Sequence, residues 1–236
     1  QRLELTAMSV THVGAPDFPP MLQHDPTRSP VLFFRGNLGA LDQRRVGIVG
    51  TRSATAAGRY MASHISFDLA EQGIATVSGL ARGIDAWAHK GVSVAYSRST
   101  DRSRLGIPIG VVASGLDVVY PKENIELWNF ISEHGLLLSE YPLGTPPLAP
   151  NFPRRNRLIS GLSQATLVVE AALQSGSLIT AKQALEQGRD VMAIPGSIHS
   201  AQSKGCHLLI KQGAKLVESA QDVLEELRLP DALAQV

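Results

Sequence analysis

The sequence predicts a doubly wound α/β domain: a mostly parallel, Rossmann-like sheet preceded by a short irregular N-terminal segment. Two observations carry this expectation. Short apolar runs at Val46–Val49, Ile74–Val77, Ile109–Ala113, Leu136–Leu138, Leu167–Val169 and Val191–Ile194 read as strands buried on both faces, with Lys215–Val217 as a candidate seventh. Helical patterns lie between most of them, over about 55–72, 84–95, 122–134, 156–163, 177–187 and 203–212. Strands alternating with helices need crossovers, and right-handed crossovers cover both faces of a parallel sheet. Val223–Leu227 reads as a closing helix.

Residues 1–40 form the N-terminal segment, a remnant of a preceding helical domain plus an edge strand. This stretch holds Pro16, Pro19, Pro20, Pro26 and Pro30 and ends in Val31-Leu32-Phe33-Phe34-Arg35-Gly36, which reads as the edge strand. Residues 41–227 make the main domain and 228–236 a tail. The chain opens on Gln1 rather than an initiator Met and so reads as a fragment. Two connections break the rhythm. The polar stretch Tyr96–Ile107, with Arg98, Arg102 and Arg104, predicts a mobile surface loop. Tyr141–Pro153 holds five prolines and one glycine, which predicts an ordered, non-repetitive loop.

Composition narrows the function. At 236 residues, with 44% hydrophobic and 18% charged residues, the chain can bury a sizeable core. Its net charge is only +1, so contact with a nucleic acid must come from a local patch. One cysteine, Cys206, excludes an internal disulfide and fits the reducing cytoplasm. It reads as a packed thiol rather than a nucleophile. No apolar run approaches the ~20 residues a membrane helix needs. There is no GxxxxGK[ST], no GxSxG and no cluster with metal-ligand spacing, so a P-loop ATPase, a nucleophile-elbow hydrolase and a resident metal are not expected.

The densest chemistry lies in residues 151–180. Phe152, Arg154, Arg155, Asn156 and Arg157 place three guanidiniums beside one aromatic ring. That pattern suits a chain of phosphates and bases, although three arginines at a helix start can also be a solvated face. Ser175-Gly176-Ser177 opens the next helix, where free backbone N–H groups meet an anion. Two anion-seeking devices within thirty residues make a nucleic-acid backbone the leading ligand. Other loops follow the strands, where ligands of doubly wound sheets bind. The first offers Gly50 and Arg52, without the spacing of the dinucleotide fingerprint. The second offers Gly79, Arg82 and Gly83, then Asp85 and His89 at i and i+4. That pair reads as a dipole-favoured first-turn carboxylate with His89 as its partner, more than as an acid/base couple. Tyr120-Pro121 reads as a loop fixer. Glu170 can meet a ribose or base, or equally accept N–H groups from a neighbouring loop. Lys204 and His207 follow the Pro195-Gly196-Ser197 turn.

Taken in order, VGIVGTR (46–52), VSGLARGIDAWAH (77–89), GLDVVYP (115–121), LLSEYPLGTPP (137–147), FPRRNRLISGLS (152–163), VVEAALQSGSLITA (168–181) and the PGS (195–197) to KGCHLLIKQGAKLV (204–217) block resemble the DprA/Smf family of bacterial DNA-processing proteins. The resemblance covers about residues 15–227. It implies a Rossmann-like domain that binds single-stranded DNA, forms homodimers, and loads the RecA recombinase during natural transformation. It implies neither catalytic turnover nor a cofactor. By motif it places DNA contacts on Arg52, Phe152, Arg154, Arg155 and Arg157, and glycine turns at Gly79, Gly83 and Gly176. The chain departs from the family pattern in its long polar 96–107 loop and in His207, where members commonly carry Asn. The helical and winged-helix modules that often flank this domain in the family are not expected here. The alternative is a nucleotide-binding enzyme of the phosphoribohydrolase type on a related fold, using Glu170 and the 175–177 turn, though its PGGxGTxxE run is missing. A third reading is a scaffold whose arginines grip acidic partner proteins.

Overall fold

A computed structural model describes residues 8–228. Among these residues nine strands form one sheet: β1 (Met8–His12), β2 (Val31–Gly36), β3 (Arg45–Val49), β4 (Ala75–Ser78), β5 (Pro108–Val112), β6 (Leu136–Ser139), β7 (Ala165–Val168), β8 (Asp190–Ala193) and β9 (Lys215–Leu216). Their spatial order is β1-β2-β6-β5-β4-β3-β7-β8-β9. The seven strands from β6 to β9 in that order pair in parallel, while β1 and β2 add on antiparallel. The helices are α1 (Ala56–Glu71), α2 (Ile84–Arg98), α3 (Ile125–His134), α4 (Asn151–Leu162), α5 (Ser177–Glu186), α6 (Lys204–Lys211) and α7 (Ala220–Arg228). The doubly wound, mostly parallel α/β class is as the sequence predicts.

Alternation along the strands builds two apolar layers. Val49, Val77, Ile109, Val111, Leu136 and Leu138 face α4, α5 and α6, meeting Leu158, Ile159, Leu162, Ala181, Ala184 and Cys206. Val46, Ile48, Leu167 and Met192 face the other way, onto α1, α2 and α7. Leu137 and Val112 lie on α3 through Leu127, Trp128 and Ile131. Each fully buried Leu or Ile contributes about 1.5–3 kcal/mol relative to exposure. Cys206 is part of this packing: burial pushes its thiol up to about 11, which keeps it protonated.

Four expectations change. Val31–Gly36 is not the edge, because β1 pairs outside it and β2 sits between β1 and β6. Phe18, Leu22 and Leu32 of the N-terminal segment pack into the same layer as α4. Helix α4 begins at Asn151, five residues earlier than its pattern suggests, because Pro153 falls within the first turn, where no backbone N–H is needed. The 96–107 stretch is tied down rather than loose. Helix α2 runs on to Arg98, Tyr96 and Leu105 are buried, and Arg102 Nε donates to the Tyr96 carbonyl at 3.0 Å.

Candidate nucleic-acid interface

The strand order reverses between β3 and β7, and the chain leaves their carboxyl ends in opposite directions, opening a crevice. The loops after β3, β4 and β7 and the first turns of α4 and α5 line a cleft of about 710 Å³ there. Two side chains mark its rim. The Arg52 guanidinium lies 5.0 Å from the centre of the Phe152 ring, a cation–π pair of about 0.5–1 kcal/mol where exposed. Tyr120 stands beside them, its ring 5.6 Å from that of Phe152, and is 40% exposed. Tyr120 thus borders the cleft as well as holding its loop.

The opposite wall is the start of α5. Ser175 and Ser177 share a hydroxyl–hydroxyl hydrogen bond of 2.7 Å, and a Cβ on Gly176 would meet open space. The Ser177 N–H donates to Ser175 Oγ at 3.4 Å, and the positive end of the α5 dipole lies at this edge of the cleft. Asn156 spans from α4, its Nδ2 3.5 Å from the Gly176 carbonyl.

The floor is a buried pair of opposite charges. Arg155 is 3% exposed; its Nη1 donates to the carbonyls of Gly79 (2.6 Å) and Val111, while its Nε has no partner among the described residues. Asp85, 6% exposed, accepts from the Gly79 N–H at 3.0 Å. Burial pushes the Asp85 carboxyl up, and the Arg155 charge and the Gly79 and Ala81 N–H groups oppose that rise. Burial lowers Arg155 to about 10, with Asp85 pulling the other way, so the guanidinium stays charged at neutral pH. His89 is not the partner of Asp85. It is fully buried with neither ring nitrogen in hydrogen-bond geometry, and burial lowers it to about 4 against a weak pull from the Ser78 backbone.

The remaining predicted residues divide. Arg154 is exposed on α4. Arg155 is a correction: it belongs to the packed floor rather than to an exposed basic face. Arg157 is another correction, since it ion-pairs with the nearly buried Glu140 and lines a separate cavity with Gln183 and Arg189. One turn of helix points successive side chains in different directions, so a run of arginines cannot share one face. Gly50, Gly79 and Gly83 serve packing. A Cβ on them would overlap Ile84, the Arg155 guanidinium and the Thr51 carbonyl, respectively, and Gly83 has φ +74°. Arg82 pairs with Glu123 on the surface, and Lys204 Nζ donates to the Ile198 carbonyl at 2.7 Å. Neither lines the cleft. His207 Nε2 lies 2.9 Å from the Gly196 carbonyl. Glu170 resolves toward its internal role: its carboxylate accepts from the Thr55 N–H at 2.9 Å and from the Thr55 hydroxyl, capping the loop ahead of α1. Among the described residues no three His, Cys, Asp or Glu side chains converge as metal ligands, and no helix is long and apolar enough to cross a membrane.

A family model for DNA recombination-mediator protein A matches residues 9–228. The chain belongs to this family. It is 46% identical to the DNA processing protein DprA of Bacillus subtilis over 198 residues, which cover 84% of this chain and 64% of the relative. It is 44% identical to protein Smf of Escherichia coli over 221 residues, covering 91% and 57%. The chain therefore spans about three fifths of the length of these curated relatives. Among solved structures, DprA of Streptococcus pneumoniae matches with a TM-score of 0.86 and 40% identity, over 96% of this chain and 78% of that one. DNA processing protein A of Helicobacter pylori, a structure concerned with its single-stranded DNA binding mode, matches with a TM-score of 0.80 and 26% identity, over 93% and 95%. A molybdenum cofactor binding protein of Rippkaea orientalis, 15% identical with a TM-score of 0.54 over 78% of this chain and 95% of that one, shares the fold alone. The DprA/Smf resemblance read from the seven motifs is thus shown.

Proposed function

We propose that this DprA/Smf domain binds single-stranded DNA without sequence preference, in the cleft at the carboxyl ends of β3 and β7. The observation that carries the reading is the rim: Arg52 stacked on Phe152, with Tyr120 behind, facing the N-terminus of α5 across an open cleft. Arg52 and the α5 N-terminus at Gly176 hold phosphates, with Arg154 exposed on the neighbouring helix, and the ring of Phe152 offers a face to a base. Arg155 and Asp85 shape the floor and do not reach a ligand. No bond is made or broken, and no metal or cofactor is called for. The relationship to the Helicobacter pylori protein supports the same ligand. In the cell the domain acts in the cytoplasm as a homodimer, delivering bound strands to the RecA recombinase during natural transformation and recombination. The phosphoribohydrolase reading loses ground because Glu170, the carboxylate it needs, is already engaged by Thr55.

Fluorescence anisotropy of a labelled single strand, with duplex and mononucleotide competitors at two salt concentrations, tests the proposal. Salt-sensitive binding that neither competitor displaces well is the expected result. Absence of binding, or displacement by a mononucleotide alone, overturns it. Stimulation of RecA filament assembly on protein-coated strands tests the delivery step separately.

A further inference from the structure

A second surface carries cations beside aromatic rings. Helices α1 and α2 approach closely at Gly91, where a Cβ would overlap the Ser63 carbonyl and the Ser66 hydroxyl. With small residues at the crossing, the large side chains flank it and line a groove of about 530 Å³: Tyr60, His64, Phe67, Trp87 and Val94, with Arg59 and Arg98. Tyr60 is 63% exposed and stacks on His64 at 5.3 Å. The Lys90 ammonium lies 4.3 Å from the Trp87 ring centre and the Arg98 guanidinium 5.4 Å from that of Phe67. Beside these two cations and Arg59, Asp68 lies 3.7 Å from His64.

Position says what this groove adjoins. Ser53 lines the cleft and Ala56 lines the groove, three residues apart, so the two surfaces lie within about 10 Å along the chain. The first turn of α2 does the same, with Asp85 in the cleft and Trp87 in the groove. Arg59 of the groove donates through Nε to the Ala54 carbonyl at 3.0 Å, on the ridge between them. Cations interleaved with aromatic rings and opening beside a proposed single-strand site offer a strand both phosphate partners and a stacking face.

We infer that the α1/α2 groove is a second segment of the DNA track, taking the strand as it leaves the cleft past Arg52. A base stacks on the free face of Tyr60, and Arg59, Lys90 and Arg98 meet the phosphates. The inference rests on the cleft being a single-strand site.

Oligothymidylates of about 5 and about 20 nucleotides separate the two claims, the shorter filling the cleft alone. The Tyr60→Ala, Arg98→Ala double variant, altered only at exposed side chains, is expected to bind the long strand about tenfold more weakly and the short one as the parent does. The long strand is also expected to quench Trp87 and the short one to leave it bright, with Trp128 as the buried internal control. Equal affinity of parent and variant for the long strand, with no quenching of Trp87, overturns the inference. If the short strand still binds and Arg52→Ala still weakens it, the cleft survives and the groove passes to a protein partner. If the parent protein binds neither strand, cleft and track fall together.

Discussion

The turns after β3 and β4 and the turn after β7 are alike in composition, each short, glycine-bearing and set at a strand's carboxyl end. They do opposite things. At Gly50, Gly79 and Gly83 the space a side chain would take is filled by Ile84, Arg155 and the Thr51 carbonyl. At Gly176 it is empty and faces the cleft. The first two turns are locked to one another, since Ile84 N–H donates to the Thr51 carbonyl at 3.2 Å. The start of the third is tied to the first, Thr51 N–H donating to the Glu170 carbonyl at 2.8 Å. Only its far end, at Gly176, is unfilled, and it lies at a helix N-terminus. A glycine in a strand-end turn is therefore evidence of close approach, but what approaches can be the protein itself.

Substitutions can break or sharpen this contrast. The largest effect is expected at the locked turns. Gly83→Ala forces a side chain into a left-handed residue against backbone, and a loss of about 3–5 kcal/mol by denaturant unfolding, or failure to fold, is expected. Arg155→Ala leaves Asp85 buried without its counter-charge and should cost about 3–5 kcal/mol in the same measurement. Arg155→Lys should rescue little of it, because the two carbonyls need a forked donor. A loss below about 1 kcal/mol in either position would refute the packed floor.

Next comes pH. His89 sits near 4 in the folded chain against 6.5 as a free side chain, so folding favours its neutral form. That stability is complete above pH 6.5 and drains away as pH falls toward 4, by on the order of 3 kcal/mol. Unfolding of His89→Leu from pH 7 to 4 should show a flatter decline than the parent; parallel declines would assign the acid sensitivity elsewhere.

Arg52→Ala should weaken single-strand binding about tenfold for all sequences, lower the salt slope by about 0.7, and cost no more than the ~1 kcal/mol of its ring contact in stability. A larger loss in unfolding would mean that Arg52 is structural. Smallest of all, Gly176→Ala should alter stability by less than about 0.5 kcal/mol. A large loss there would show that the third turn is as locked as the others.

Much of the frame was legible because buried parallel strands are unbroken apolar runs, and six such runs fall on observed strands. The rim was legible too, since Arg52, Phe152 and the 175–177 turn come together as expected. The arginine run was not. Arg154, Arg155 and Arg157 carry the same charge in the sequence, and only the direction each takes from α4 sends one to solvent, one to the floor and one to Glu140. Burial of a guanidinium depends on two carbonyls and a carboxylate arriving from positions far along the chain, which no local pattern announces. In the sequence Tyr120 reads as a loop residue, although an aromatic side chain following a strand's carboxyl end is a usable signal. Glu170 suits either role in the sequence, and the Thr55 N–H that donates to it comes from 115 positions away.

The placement of β3 at the middle of the sheet sets an order of events. Its neighbour β4 is made soon after it, but β7, on its other side, waits for more than a hundred residues; Arg45 and Gln164, which hydrogen-bond beside that seam, are 119 positions apart. A nascent chain can thus assemble one half of the sheet while the seam stays unzipped, and closing it is a slow, non-local step. The cleft has one wall from each half. A chain still on the ribosome, or cut before α5, holds Arg52 and its loop but nothing to face it, so recognition arrives together with completion of the fold.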